Sequence, residues 1–380
     1  MHMAPIVIRQ HMPQENTRLL SLDALRGFDM FWITGGGSLV HAAAKLFGWG
    51  WLVVISQQFH HPEWNGLSAY DCIFPLFIFM AGVSVPFSFG SRLEKGVPKP
   101  KLARKAIQRG LILVLLGIVY NNGILVKSFS EMRYASVLGR IGLAGMFAQL
   151  LYLYNPSALK LMIQGGILLL IYWAFLSWFP VPGCPVGTMT MDCNPASYID
   201  RLILPGKLYK DIHDPEGLVS TLPAVMTGLL GIFAGMQIRG NSGQSGGKKA
   251  RNLTLYGLIA LTLGIIWSIF WPINKNLWTG SFVLVVGGIS FLLLALFYWI
   301  IDVKKLRRWT LFFVVIGTNS IVIYLLSHFV DIGYTANALF GGLLAFLGPD
   351  AARLGQVITY ILVQWCLMYV LYKNKWFLRV

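Results

Sequence analysis

Acidic side chains are scarce in this chain: 15 of its 380 residues are Asp or Glu, and charged residues of both signs make up 12%. A soluble domain usually carries about a quarter of its residues charged, so a fold that faces water on all sides is excluded. Cysteine is scarce too, at four, which leaves no disulfide-rich framework and no paired Cys-x-x-Cys ligands for structural zinc. Also missing are the apolar/polar alternation of a membrane β-barrel and the phosphate loop, dinucleotide fingerprint and HExxH motif. The first twenty residues are polar, with Pro5 and Pro13 and no compact apolar stretch, so no cleavable signal peptide is expected and the first span serves as the anchor.

What is present is apolar sequence, 56% of the chain, in runs that repeatedly reach the roughly 20 residues a helix needs to cross a bilayer. The fold class expected is all-α: a polytopic membrane protein of about ten transmembrane helices, near 22–44, 67–90, 106–125, 136–154, 158–178, 217–237, 253–271, 278–301, 309–329 and 355–372. The order is a cytoplasmic segment 1–20, a transmembrane domain 21–372 and a cytoplasmic tail 373–380. A short apolar stretch, Ala336 to Leu347, reads as a re-entrant or interfacial piece. With the N-terminus inside, 21 of the 31 Lys and Arg fall on inner segments, 8 on outer ones, and Arg26 and Arg140 within spans. By the positive-inside rule both termini are cytoplasmic. The net charge of +16 therefore reports topology, and no nucleic-acid partner is implied. Cys184 and Cys193 share the outer segment 179–216, where they pair in an oxidising compartment or stay as tolerated thiols.

Polar clusters converge on the outer face. His60-His61-Pro62-Glu63-Trp64-Asn65-Gly66-Leu67-Ser68-Ala69-Tyr70-Asp71 opens an apolar helix. A carboxylate entering hydrocarbon costs roughly 2.5 to 3.5 kcal/mol unless it faces protein or water, so Asp71 needs a partner. An imidazole at His61 can take a proton or attack a carbonyl at neutral pH, with a carboxylate to orient it. No second His pair stands at ligand spacing, so a metal is not expected. Asp214-Pro215-Glu216-Gly217 caps a helix and sets two carboxylates where an ammonium can be held. Pro272-Ile273-Asn274-Lys275-Asn276-Leu277-Trp278 is a hairpin tip whose Asn274, Lys275 and Asn276 can read hydroxyls, while Trp64 and Trp278 either stack on a sugar or belong to an interfacial aromatic belt. Asp23, Arg26 and Asp29, three residues apart, can form a self-neutralising ladder. Arg140, Asn319, Ser320 and Tyr324 lie within spans and point to a polar cavity.

These motifs, with Arg18 to Gly27, Val137 to Arg140, Phe74-Pro75 and Gly317-Thr318-Asn319-Ser320, run in an order that resembles the transmembrane heparan-α-glucosaminide N-acetyltransferase family, including bacterial members described as N-acetylglucosamine transporters. The resemblance implies an enzyme that takes acetyl from cytoplasmic acetyl-CoA and delivers it to the amine of a glucosamine-type sugar across a bacterial inner membrane. It implies His61 as the catalytic group, by acyl-imidazole formation or as a base, with Asp71 beside it; His60 has no counterpart. It implies Glu63, Trp64, Asn65, Asp214, Glu216, Asn274, Lys275, Asn276 and Trp278 toward the sugar, and Arg26, Arg109, Arg140, Arg239, Asn319 and Ser320 toward acetyl-CoA. Lysosomal members carry a catalytic Asn before a glycine run; here the stretch reads Ile33-Thr34-Gly35, without that Asn. Their soluble lumenal region is also missing. A proton-coupled amino-sugar permease is the alternative, with Asp23, Arg26 and Asp71 as its relay, and assembly as a homodimer stays open.

Overall fold

The computed structural model describes residues 19–123, 128–240 and 243–378. Most of the expected segment 1–20 and the last two residues of the tail lie outside them. The described residues are helical, with no strand beyond one isolated bridge between Arg133 and Gly206. In chain order the helices are α1 (Leu20–Phe31), α2 (Gly37–Phe47), α3 (Gly50–Gln57), α4 (Ile73–Val85), α5 (Ser91–Glu94), α6 (Lys99–Asn122), α7 (Val137–Tyr154), α8 (Ala158–Trp178), α9 (Pro195–Ile203), α10 (Thr221–Gly240), α11 (Gly246–Ser268), α12 (Gly280–Phe297), α13 (Thr310–Gly317), α14 (Ser320–Phe329), α15 (Ile332–Leu344) and α16 (Pro349–Lys373).

Seven helical stretches are long and apolar enough to cross a membrane: Ala69–Glu94, Val137–Tyr154, Ala158–Trp178, Thr221–Gly240, Gly246–Ser268, Gly280–Val303 and Pro349–Lys373. The pair α13 and α14, bent by 72° at Thr318–Asn319, makes an eighth if it is one span. The remaining two of the ten expected spans are helical but fall short of that test. The first is interrupted by a π-helical turn, Trp32–Gly36, between α1 and α2; the other, α6, carries Lys99, Lys101, Arg104, Lys105 and Arg109 along its first half. The stretch expected to be re-entrant or interfacial is α15, a shorter apolar helix.

Burial sorts the helices. Of the apolar window of α10, 78% is buried inside the protein, against 28% for α8 and α11 and 17% for α16, so α10 is the axis of the bundle and the others are its rim. In water, rim residues such as Leu159, Leu255 and Leu362 would be a liability; facing lipid they cost nothing. The centre packs through glycine. A Cβ on Gly231 of α10 would sit 1.9 Å from the Phe79 carbonyl oxygen of α4, and one on Gly82 of α4 would sit 2.2 Å from that of Gly228. A Cβ on Gly27 of α1 would meet the Phe313 oxygen of α13 at 1.7 Å, and one on Gly317 would meet the Asp23 oxygen at 2.0 Å. Small residues let these backbones touch, the usual device for joining helices that lipid does not push together.

The expected ladder on α1 forms only in part. Arg26 lies 3.4 Å from Asp23 and also reaches the Met80 carbonyl and Ser84 of α4, whereas Asp29 is buried apart with Oδ2 unpartnered.

Candidate active site

A capping box builds the centre of the site. Ser68 caps the short 3₁₀ turn Ala69–Cys72 that precedes α4, and its backbone N–H and hydroxyl both donate to Asp71 Oδ2 at 3.0 Å. Oδ1 is thereby left for other partners. It accepts from His61 Nδ1 at 2.6 Å and from Lys275 Nζ at 3.1 Å. The side chain of Asp71 is 1% exposed, that of Lys275 20% and that of His61 49%, so a buried carboxylate holds an imidazole that opens to solvent. Since a carboxylate only accepts, neutral His61 carries its proton on Nδ1 and presents a free lone pair at Nε2. The Tyr70 ring, 5.0 Å from that of His61, covers one side. His60 instead packs against the His41 ring, with centroids 4.6 Å apart and the planes tilted by 57°.

Lys275 arrives from the link between α11 and α12. That turn closes on itself, with Asn274 Oδ1 accepting from Leu277 N at 2.8 Å and Asn274 N donating to Thr279 Oγ1 at 3.1 Å. It docks on the His61 loop through Gly66 N to Ile273 O at 2.9 Å, Asn274 Nδ2 to Asn65 Oδ1 at 2.9 Å and Asn276 Nδ2 to the Trp64 carbonyl at 3.5 Å. Asn274 is thus a buried brace. Trp278 is fully buried, with its indole N–H donating to Thr227 at 3.3 Å and the Arg140 guanidinium 4.8 Å from its ring; it cannot stack on a sugar. Trp64 ties its indole N–H to the Met189 carbonyl at 2.7 Å. Glu63 and Asn65 remain exposed beside His61.

The Asp214 carboxylate is likewise committed. Arg133 grips it at 2.7 Å through both Nε and Nη2 and reaches Glu216 at 2.5 Å. Burial works against its charge, but Arg133 holds Asp214 below the usual carboxylate range, and the same contacts outweigh the burial of Arg133 and raise its pKa. With its side chain fully buried, Asp214 braces the outer loops and is not open to an incoming ammonium. Behind it, burial pushes Asp200 up to about 6, against the bonds it accepts from Leu218 N at 3.0 Å and Val219 N at 3.1 Å. Burial also pushes His213 down to about 4 as it bonds Ser197 at 2.7 Å. Asp200 contributes stability present below its ordinary 3.8 and lost as pH rises through 6; His213 contributes stability present above its ordinary 6.5 and lost as pH falls to 4. Over the shared window the two slopes oppose. Cys184 and Cys193 in the same region are disulfide-bonded, with 5.6 Å between their Cα atoms.

A cavity of about 390 Å³ runs along the helix that begins at α4. One stripe of the helix that begins at α4, namely Phe74, Phe77, Ala81, Ser84 and Ser88, forms its wall, and from the first to the last of these the helix rises roughly 21 Å. Phe74 lies one turn past Asp71, and at the other end stand Arg26 and Arg109, with Ser320 also in the lining. The other residues expected near them are placed differently. Arg239 pairs with Glu94 at 2.5 Å. Arg140 is buried at the His61 end, bonding the Gly217 carbonyl at 3.1 Å and Ser220. Asn319 clamps the chain after α16, donating to the Trp376 carbonyl at 3.0 Å and accepting from Leu378 N at 3.2 Å. Arg133, Ser68 and Tyr70 escape a reading of the sequence. Ser68-x-x-Asp71 is a legible capping signal; Arg133 has none, because its partners lie more than 80 residues away. Among the described residues no cluster of His, Cys, Asp and Glu could hold a metal ion.

The fold and site define a multi-pass membrane protein with a carboxylate-oriented histidine and an internal slot along α4. No family model matches the chain. It is 30% identical to mouse heparan-α-glucosaminide N-acetyltransferase over 97% of its own length and 62% of the relative's, and 28% identical to the human protein of that name over 85% and 56%. The chain belongs to the heparan-α-glucosaminide N-acetyltransferase family. It spans about six-tenths of the length of these relatives.

Proposed function

We propose that the chain is a membrane acetyltransferase that takes acetyl from cytoplasmic acetyl-CoA and passes it to the amine of a glucosamine-type sugar at the periplasmic face of a bacterial inner membrane. The observation that carries the reading is the slot lined by Arg26 and Arg109 at one end and by Phe74, one turn past Asp71, at the other. Phosphates suit Arg26 and Arg109, whose planar groups pair with them; a long thin thioester arm suits the narrow stripe of α4, which ends one turn from Asp71. His61 Nε2 is the group that reacts, with Asp71 stabilising the imidazolium as it gains charge. Lys275 neutralises Asp71 at rest, and exposed Glu63 is the carboxylate placed to attract the sugar ammonium. The test is free thiol released when the purified protein in detergent meets acetyl-CoA and glucosamine. Thiol above the level without sugar is expected; binding and release of sugar with no thiol would identify a permease and overturn the reading.

The arrangement across the membrane is ten crossings with both termini cytoplasmic, supported by the distribution of Lys and Arg and by the Cys184–Cys193 bridge on the opposite side. Ser245, which caps α11, then faces the cytoplasm. In a background without the native cysteines, Ser245→Cys is expected to resist an impermeant maleimide in intact cells and to react after lysis. Labelling before lysis would reverse the orientation.

A further inference from the structure

Between α8 and α9 the Cys184–Cys193 disulfide closes a ring of chain whose crown is Met189. The ring is tied to the His61 loop. Its Met189 carbonyl accepts from the Trp64 indole N–H at 2.7 Å, and the Met189 side chain packs in the small apolar cluster that holds Trp64, Trp173 and Val219. Trp64 stands three positions after His61. Its own carbonyl accepts from Asn276 Nδ2 at 3.5 Å, and its ring meets that of His213 edge-on, with centroids 5.1 Å apart. The two flanks of the ring are held unequally. On the Cys193 side Asn194 caps α9, and its amide donates to the carbonyls of Thr190 at 2.6 Å and Met191 at 3.1 Å. On the Cys184 side the bonds are short turns, Cys184 N to Val181 O at 3.1 Å and Thr188 N to Pro185 O at 3.3 Å, so the bridge is what fastens that flank to α9. Both cysteines are half-buried beside exposed Gly183, Pro185 and Asp192, where a dissolved thiol reaches them.

We infer that the Cys184–Cys193 ring is a redox-sensitive clasp that sets the His61 loop through Trp64, and that a dithiol reductant opens it and slows acetyl transfer. The effect on transfer rests on the acetyltransferase reading; the loosening of the loop does not. One thiolate of the reductant attacks a bridge sulfur, breaking the S–S bond and forming a mixed disulfide. The second thiolate then closes on the first and leaves as a cyclic disulfide, so that two electrons and two protons pass to the protein and both cysteines end as thiols. A bridge acts by removing conformations from the chain it closes. Without it the Met189 carbonyl no longer stays in front of the indole N–H, and the loop that carries His61 loses one of its ties. Displacing a reacting group by about an ångström lowers the rate of the chemical step far more than it weakens binding, so Trp64 is a positioning residue acting through His61.

Hydrogen exchange of the backbone amides of residues 60–67, read by mass spectrometry on the whole protein in nanodiscs, tests the clasp without reference to turnover. Dithiothreitol is expected to speed exchange there about tenfold, as local opening becomes easier, and reoxidation to reverse it. Trp64→Phe keeps a ring against His213 but has no indole N–H. It should exchange fast already when oxidised and change no further on reduction. Acetylated glucosamine, counted by mass because the reductant's thiols mask released thiol, should show kcat falling about three- to tenfold on reduction, with KM for acetyl-CoA held within about twofold. Cys184→Ser with Cys193→Ser should match the reduced wild type and ignore the reductant, which excludes the free thiols Cys72 and Cys366 as its target. Unchanged exchange in the reduced wild type, or additive effects of reduction and Trp64→Phe, overturns the clasp, and faster exchange with an unchanged kcat overturns its hold on the reaction. Exchange that responds as expected in a protein that acetylates no sugar in any form sinks the acetyltransferase reading and leaves the clasp standing.

Discussion

His61→Ala is expected to lower acetyl transfer by about 10² to 10⁴-fold, the usual contribution of a positioned base or nucleophile, while leaving acetyl-CoA affinity nearly unchanged. The charged end of that molecule is assigned to Arg26 and Arg109, a slot's length away, whereas the imidazole meets only the acetyl end. His60→Ala is the control on the same loop, because His60 packs against His41 and touches neither Asp71 nor Lys275. Asp71→Asn should fall between the two: an amide keeps the shape but can turn its NH₂ toward Nδ1, which favours the wrong tautomer. Single-turnover rates with saturating acetyl-CoA separate these effects from binding. Equal losses in the two histidine variants, or full activity in His61→Ala, would remove the imidazole from the chemistry.

Arg133→Met should destabilise the outer loops by about 3 to 5 kcal/mol, as breaking a buried ion pair from one side generally does. The Asp214 side chain is fully enclosed and its ion pair among the described residues is with Arg133, so the variant strands a charge in a dry place. Adding Asp214→Asn should recover part of the loss, since it removes the orphaned charge. Thermal unfolding in detergent, followed by exposure of Cys72 to a thiol reagent, reads both variants. A single variant as stable as the wild type would mean that water reaches Asp214 and that the cluster carries no structural load.

Sequence pattern made the helices and the site loop legible for a simple reason: apolar runs and charge placement are local signals. His61 and Asp71 are ten residues apart and join through a capping turn, so their pairing follows from neighbouring chain. Lys275 was visible as an oddity in a polar turn, but its bond to Asp71 spans 204 positions and no local pattern encodes it. The misplaced residues share one cause. Arg140, Trp278 and Asp214 have the chemistry of ligand contacts, yet Arg140 lies over the buried Trp278 ring and Arg133 closes bidentately on Asp214, and side-chain type alone does not tell a binding group from a brace. Arg239 looked like a phosphate ligand for the same reason until Glu94 claimed it. A cavity of about 510 Å³ has no signature in the sequence because its lining is gathered from six separate segments, the Trp32–Gly36 turn, α2, α6, α14, α15 and α16.

The glycine contacts bear on where this protein can move. With carbonyl oxygens of one helix standing where a Cβ of the other would be, α4 with α10 and α1 with α13 behave as two double rods that neither slide nor part without losing contact along their length. The slot along α4 is cut into the face of one such rod and so keeps its width. Breathing is left to the 72° elbow between α13 and α14 and to the rim helices α15 and α16, which wall the second cavity. The bundle therefore has a stiff half and a yielding half.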